Sequence, residues 1–161
     1  MDGTTLEILN ILQSDARTPN AEIARRVGLA PSAVHERVRK LEERGIVRGY
    51  SARLDPRPLG LGLLAFVFVR AEERVGSDDT ADQLAAIPEV QEVHHIAGED
   101  CFLVKVRAPD TESLGVLLRD RMGRLPTVRS TRTTIVLHTV KEDPSLPIAA
   151  AVDANEETPD A

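Results

Sequence analysis

Apolar residues recur at helical spacing through the first third of the chain. Leu6, Leu9 and Leu12 form a stripe, and Thr4 with Glu7 has capping-box spacing, so Thr4 to Ser14 predicts a first helix. Thr18-Pro19 starts a second, over Asn20 to Val27, which Gly28 breaks. Pro31 opens a third, longer helix that ends near Gly45. Proline is tolerated at the first helical position, where no N–H partner is needed, and glycine suits the left-handed residue after a helix. Val34, Val38 and Leu41 share one face of this third helix. With Leu6, Leu9, Leu12, Ile23, Val27 and Leu29 they make the expected core of a three-helix bundle. After Gly45, the sequence IVRGYSARL reads as a small hairpin, or wing.

From Leu61 onward the pattern changes. Leu61 to Ala71 is apolar on both faces, with Phe66 and Phe68 on one and Ala65, Val67 and Val69 on the other. A helix over Ser77 to Ile87 follows, with Asp78, Asp79 and Asp82 near its positive end, and Pro88 stops it. Next come a strand over Val90 to Ala97, a turn at Gly98-Glu99-Asp100, and a strand over Cys101 to Arg107. A helix over Asp110 to Met122 and a strand over Val128 to Val140 complete the order βαββαβ, the ferredoxin-like split βαβ unit. The fold class is therefore α+β. Both helices of that unit cover the same sheet face, and the strands are apolar on the other face too. A second copy is expected to bury it, giving a symmetric dimer.

These elements divide the chain. Residues 1–54 form a winged helix-turn-helix domain, and 55–60 (DPRPLG) a hinge whose prolines fix an extended path. Residues 61–141 form the second domain. Residues 142–161 are an acidic, Pro/Ala-rich tail, expected to be disordered and dispensable.

Charge sharpens this division. The net charge is −6, which by itself argues against a nucleic-acid partner. Its distribution argues the other way: residues 1–54 hold nine Lys/Arg against seven Asp/Glu, whereas residues 141–161 hold one against six. The positive share sits with the helix-turn-helix, whose second helix enters the major groove of duplex DNA in domains of this kind. An ordinary helical hairpin with a solvated charged face is the competing reading. The single cysteine, Cys101, excludes an intrachain disulfide and any multi-cysteine metal site. No apolar run is long enough to cross a membrane, so the expectation is a soluble, cytoplasmic chain with no membrane partner, cofactor or metal.

The stretches LEILNILQSDART, EIARRVGLAPSAVHERVRKLEERGIVRGYSARLDPRPLG, IPEVQEVHHIAGEDCFLVKV and LPTVRSTRTTIVLHTVK cover nearly the whole chain up to Lys141. In order and spacing they resemble the Lrp/AsnC family of transcription regulators. The resemblance implies an N-terminal DNA-binding domain and a C-terminal effector-sensing domain, called RAM. It also implies dimers joined through the RAM sheets, often assembled into tetramers or octamers, with amino-acid effectors bound between neighbouring dimers. By position, the DNA-facing set is Ser32, Ala33, His35, Glu36, Arg37, Arg39 and Lys40. On the residues themselves, Arg48 and Arg53 either reach phosphates from the wing or stand on a solvated hairpin. A physical argument runs parallel: the early turns of a recognition helix lie nearest base edges, and Arg and Lys farther along meet phosphates. His35 either donates to DNA or stands idle, and Glu36 is expected to pair with Lys40 at i,i+4. The family usually has Ser where this chain has Ala30, which cannot cap a helix.

For the effector, the family's turn Gly-Glu-Tyr-Asp-Tyr corresponds to Gly98, Glu99, Asp100, Cys101 and Phe102. The Asp that often anchors the effector's amino group falls on Cys101, and a thiol is a poor partner for an ammonium ion. Either Asp100 takes over, or the ligand differs, or the site is vestigial. Thr131 and Thr133 match the family's TxT pattern near the pocket, although β-propensity alone explains threonines in a strand. Two further readings stand beside the amino-acid-responsive regulator. One is a global DNA-architectural protein, which needs the same contacts. The other is an enzyme, since relatives of this architecture decarboxylate a tetrapyrrole using histidines; His94 and His95, as neighbours on a strand, point to opposite faces and cannot serve one pocket.

Overall fold

The computed structural model describes residues 1–72 and 79–148, which fall into two compact units. One comprises Met1–Arg53 with the chain from Glu142, and the other Leu54–Lys141.

The first unit is built on α1 (Gly3–Ser14), α2 (Asn20–Val27) and α3 (Pro31–Glu43). Helix α1 starts one residue earlier than the Thr4–Glu7 spacing suggested. Its cap is Asp2, whose side chain accepts from the Thr5 N–H, as a short carboxylate at an N-terminus does. The buried stripe is also centred differently. Ile8 and Leu12 are buried, while Leu6 and Leu9 are only half-buried. The core is Ile8, Leu12, Ile23, Ala24, Val34 and Val38, with Ile11, Val27, Leu29 and Val47 packed against it. Helix α2 ends at Gly28, which is left-handed (φ 68°), and the Leu29 N–H closes the turn on the Ala24 carbonyl. Helix α3 begins with Pro31 after Ala30, whose side chain makes no cap. It ends at Gly45 (φ 66°), where the Ile46 N–H returns to the Leu41 carbonyl and the Gly45 N–H to that of Glu42.

The wing hairpin expected over Ile46 to Leu54 does not form: no strand lies between α3 and Leu63. The segment is held instead by the Ile46 and Val47 N–H groups on the Leu41 carbonyl and by the Tyr50 hydroxyl, which donates to Glu42 at 2.8 Å. The hinge also differs from the extended path expected of it. Asp55 to Gly60 is a tight turn in which the Leu61 N–H bonds the Pro56 carbonyl and the Gly60 N–H that of Arg57. Gly60 is left-handed (φ 72°), so this single turn is closed in the manner of a helix C-terminus.

The second unit is a four-stranded antiparallel sheet of β1 (Leu63–Ala71), β2 (Val90–His95), β3 (Phe102–Ala108) and β4 (Val128–Ile135), in the order β2-β3-β1-β4. Between strands lie α4 (Asp79–Ala85) and α5 (Thr111–Val116); α5 continues through a π turn (Leu117–Arg121) and a 3-10 turn (Met122–Arg124). The start of the first of these helices, at Ser77 and Asp78, lies outside the described residues. Ala65, Val67 and Val69 of β1 and Phe102, Val104 and Val106 of β3 pack with Leu84, Leu114, Leu117 and Met122. Each of these larger side chains contributes roughly 1.5–3 kcal/mol by leaving water.

The opposite face is less apolar than expected. Phe66, Phe68 and Leu103 at its centre are half-buried, but Glu92, Lys105 and Arg132 surround them. Lys105 pairs with Glu92 at 3.0 Å, and the Arg132 guanidinium lies 4.0 Å above the Phe68 ring. Strand β4 stops at Ile135 rather than Val140. Its ladder runs against β1, whose first residue is Leu63, so pairing ends where the partner begins.

The tail is corrected in part. Residues 142–148 are not free of structure: the side chain of Gln13 brackets Leu146, and Arg53 bonds the Glu142 carbonyl. Sequence periodicity missed this because the contacts are backbone contacts. The rest of the tail, 149–161, lies outside the described residues.

Candidate nucleic-acid interface and effector turn

Three faces of α3 follow from its 3.6-residue period. Val34, Val38 and Leu41 are buried. Ser32, His35, Arg39 and Lys40 are exposed, and Ala33 and Glu36 are half-buried. The left-handed turn at Gly28 and the proline start at Pro31 set the angle at which this outer face is presented.

The outer face is charged but locally matched. Glu36 pairs with Lys40 at 3.4 Å, as expected, and also accepts from Arg39 at a shorter 2.8 Å. Arg39 also reaches Glu43. The Arg39 guanidinium, then Lys40, hold the Glu36 carboxyl below its usual range. Asn20 and His35 approach to 3.5 Å across the turn. Arg44 and Arg48 are exposed and form no ion pair among the described residues.

Arg37 departs from the groove-facing or phosphate-facing role expected of it. It lies on the flank of α3 beside the core stripe and turns back to α1. Its Nη1 donates to Asp2 at 2.7 and 3.0 Å and to the Thr5 hydroxyl at 2.8 Å. Arg37 and Thr5 hold the Asp2 carboxyl well below the usual carboxylate range. One oxygen of Asp2 thus caps α1 while the carboxylate braces α3. Asp2 and Thr5 were missing from the sequence-derived set; an Asp two residues ahead of a Thr-rich helix start is the signal that identifies such a cap.

On the sheet, the turn between β2 and β3 is closed by the Ile96 N–H on the Cys101 carbonyl and tied to β1 by the Cys101 N–H on the Val69 carbonyl. Gly98 adopts φ 148°, a conformation other residues rarely take. Two arginines on neighbouring strands secure the turn's acids: Arg70 pairs with Glu99 at 3.1 Å and Arg132 with Asp100 at 2.9 Å. Cys101 is half-buried, and its thiol is engaged with Ala71, donating to the carbonyl at 3.2 Å. Thr131 and Thr133 pair with Val69 and Val67, on the helix-covered side of the sheet. Arg132, between them, points to the other side with Phe68. The predicted effector residues therefore divide between two faces, with Asp100 joined to Arg132 rather than to the threonines. Arg70 and Arg132 were not in the predicted set; their alternation with threonines and apolar residues on β1 and β4 was the available signal.

His94 and His95 likewise point apart. His94 pairs in register with Leu103 and approaches Glu92 at 3.3 Å, while His95 stacks on Phe102 with ring centres 5.0 Å apart. Among the described residues no group of three His, Cys, Asp or Glu side chains is placed to hold a metal, and no helix is long and apolar enough to cross a membrane.

A helix-turn-helix with an exposed, charged second helix, joined to a βαββαβ domain, is the architecture of a two-domain DNA-binding protein. Comparison with known proteins gives the particular family. The description of the Lrp/AsnC ligand binding domain matches residues 64–146, and that of a winged helix-turn-helix DNA-binding domain matches residues 1–48. The HTH-type transcriptional regulator FL11 of Pyrococcus horikoshii is 40% identical over 148 residues, spanning 92% of this chain and 97% of that protein. The leucine-responsive regulatory protein of Escherichia coli is 39% identical over 152 residues, spanning 92% of each. A transcriptional regulator from Neisseria meningitidis, solved as an L-methionine complex, aligns with a TM-score of 0.85 and 32% identity over 94% of this chain and 99% of that one. A feast or famine regulatory protein from M. tuberculosis, also complexed with L-methionine, aligns with a TM-score of 0.83 at 37% identity, over 90% and 97%. The chain belongs to the Lrp/AsnC family and is a DNA-binding transcriptional regulator of that type.

Proposed function

We propose that this regulator reads specific duplex sites with the outer face of α3, and that a free amino acid modulates its binding or assembly. The supporting observation is the α3 surface: Ser32, His35, Arg39 and Lys40 stand exposed behind a left-handed turn, with the unpaired Arg44 and Arg48 following. Phosphates displace the i,i+3 and i,i+4 acid partners of Arg39 and Lys40 at little structural cost, because exposed pairs are weak and screened.

The effector reading rests on the turn after β2. An amino acid offers an ammonium and a carboxylate. Asp100 with Arg132 offers the complementary pair, and Glu99 with Arg70 repeats it on the next strand. Asp100 takes the ammonium in place of the family's Asp, because the Cys101 thiol is occupied by Ala71. A second copy covers Phe66, Phe68 and Leu103, forming a dimer that presents two reading heads to half-sites about one helical turn, or a multiple of it, apart. Higher assemblies of such dimers bring effector turns together.

Fluorescence anisotropy on DNA from upstream of the protein's own coding region tests this, titrated at several salt concentrations with and without an amino-acid pool. Binding tighter than to scrambled DNA, with a steep salt slope, is expected, and a shift with the pool that Asp100→Ala abolishes. Equal affinity for both DNAs would defeat sequence-specific reading. No response to the pool would defeat the effector reading.

A further inference from the structure

The chain leaves the sheet unit at Lys141 and joins the helical one. There the Gln13 side chain treats Leu146 as one strand treats another: its Nε2 donates to the Leu146 carbonyl at 2.9 Å and its Oε1 accepts from the Leu146 N–H at 3.0 Å. The same Nε2 also donates to Asn10 at 3.0 Å, a third bond that fixes the orientation of the amide. Arg53 donates to the Glu142 carbonyl at 2.6 Å, and Ile148 is half-buried. Leu9 and Leu12 of α1, the chain from Ile46 to Arg53, and Pro144 to Ile148 surround a cavity of about 330 Å³.

Charge favours this seating. Residues 46–53 carry Arg48 and Arg53 and no acid, while the incoming segment begins with Glu142 and Asp143. The segment after α3 also needs a support. It forms no ladder, and beyond the Ile46 and Val47 N–H groups on the Leu41 carbonyl its own anchors are Val47 against the core and Tyr50 on Glu42. Short unladdered segments with few buried contacts open locally at low cost.

We infer that residues 142–148 are an intramolecular strap docked in the groove between α1 and the segment after α3, with Gln13 as its positioning residue. The strap holds Ile46–Arg53, and the arginines it carries, in one place before DNA arrives. Ordering them beforehand removes part of the entropic cost of binding.

Hydrogen exchange on the full-length protein tests the docking without DNA. Gln13→Ala removes both bonds from the α1 side. Leu146→Pro removes the N–H from the strap side and leaves α1 intact. A chain ending at Asp143 removes the bracketed residue altogether. Each is expected to speed exchange over 46–53 with β1 and β3 unchanged, and to raise acrylamide quenching of Tyr50, the chain's one tyrosine. Affinity for the same DNA should fall by roughly threefold to tenfold, the effect of losing one or two modest hydrogen bonds. Unchanged exchange in all three variants would overturn the docking. Unchanged or tighter DNA binding would overturn the strap's supporting role, tighter binding making it a competitor of DNA. Because exchange is read on the free protein, failure of the strap is distinguishable from failure of the DNA reading.

Discussion

Charged side chains pair differently in the two units. In the helical unit they pair mostly with near neighbours: Glu22 with Arg25 and Arg26, and Arg39 with Glu36 and Glu43, all within four residues. On the sheet several pairs join distant elements: Arg70 with Glu99, Arg132 with Asp100, Lys105 with Glu92, and Arg129 with Glu72. Near-neighbour pairs on a helix fix no tertiary geometry, so an incoming phosphate exchanges for them freely. The Arg70–Glu99 and Arg132–Asp100 pairs instead join the turn before β3 to β1 and β4. Arg37 with Asp2 differs from the near-neighbour pairs, since it spans α1 and α3. It behaves as a brace.

Core truncations give the largest expected effect and test whether each unit rests on its own packing. Ile23→Ala in the helical unit and Leu84→Ala in the sheet unit, both at fully buried positions, should each cost about 2–5 kcal/mol. Urea titration followed by Tyr50 fluorescence reads the first, and circular dichroism the second. A change at Ile23 that left the tyrosine transition in place would break the division into two cores.

The turn before α3 gives intermediate effects of opposite sign. Gly28→Ala forces a Cβ into a left-handed conformation with open space around it, so strain alone acts, at about 1–2 kcal/mol. Ala30→Ser supplies the missing cap and should stabilise by about 1 kcal/mol. Both are read as shifts of the same urea midpoint. A destabilising Ala30→Ser would mean that the start of α3 is constrained by something other than its cap.

The smallest effect is acid sensitivity. The folded Asp2 carboxyl sits below its unfolded value, so its contribution is fully present above roughly pH 4 and is lost as pH falls through the folded value. Asp2→Asn should flatten the acid limb of the helical unit's stability profile. An unchanged limb would remove Asp2 from the brace.

The three helices were legible because proline starts, glycine stops and a repeating apolar face are local signals. Even so, the α1 stripe centres on Ile8 and Leu12 rather than on Leu6 and Leu9, because Leu6, Ile8, Leu9, Ile11 and Leu12 make a broad apolar arc and only packing against α2 and α3 selects the buried side. The sheet order was legible from the succession of elements. The extent of β4 was not, because it depends on where β1 begins. In the candidate site, the outer residues of α3 followed from periodicity, whereas the inward turn of Arg37 depended on Asp2, thirty-five residues away in sequence. The Asp100–Arg132 pair and the Gln13–Leu146 bracket are of the same kind. Each joins residues that only the tertiary fold brings together, and neither leaves a periodic trace.

Arg44 is free to meet a phosphate, whereas Arg37 is committed to α1. The salt dependence of DNA affinity in Arg44→Ala and Arg37→Ala tests that separation most directly. Arg44→Ala should reduce the slope of log K against log salt by about 0.9, the value for one lost phosphate contact, with stability unchanged. Arg37→Ala should leave the slope as it is and lower the urea midpoint of the helical unit. A reduced slope in Arg37→Ala with an unmoved midpoint would contradict the account, because it would place that arginine on the DNA.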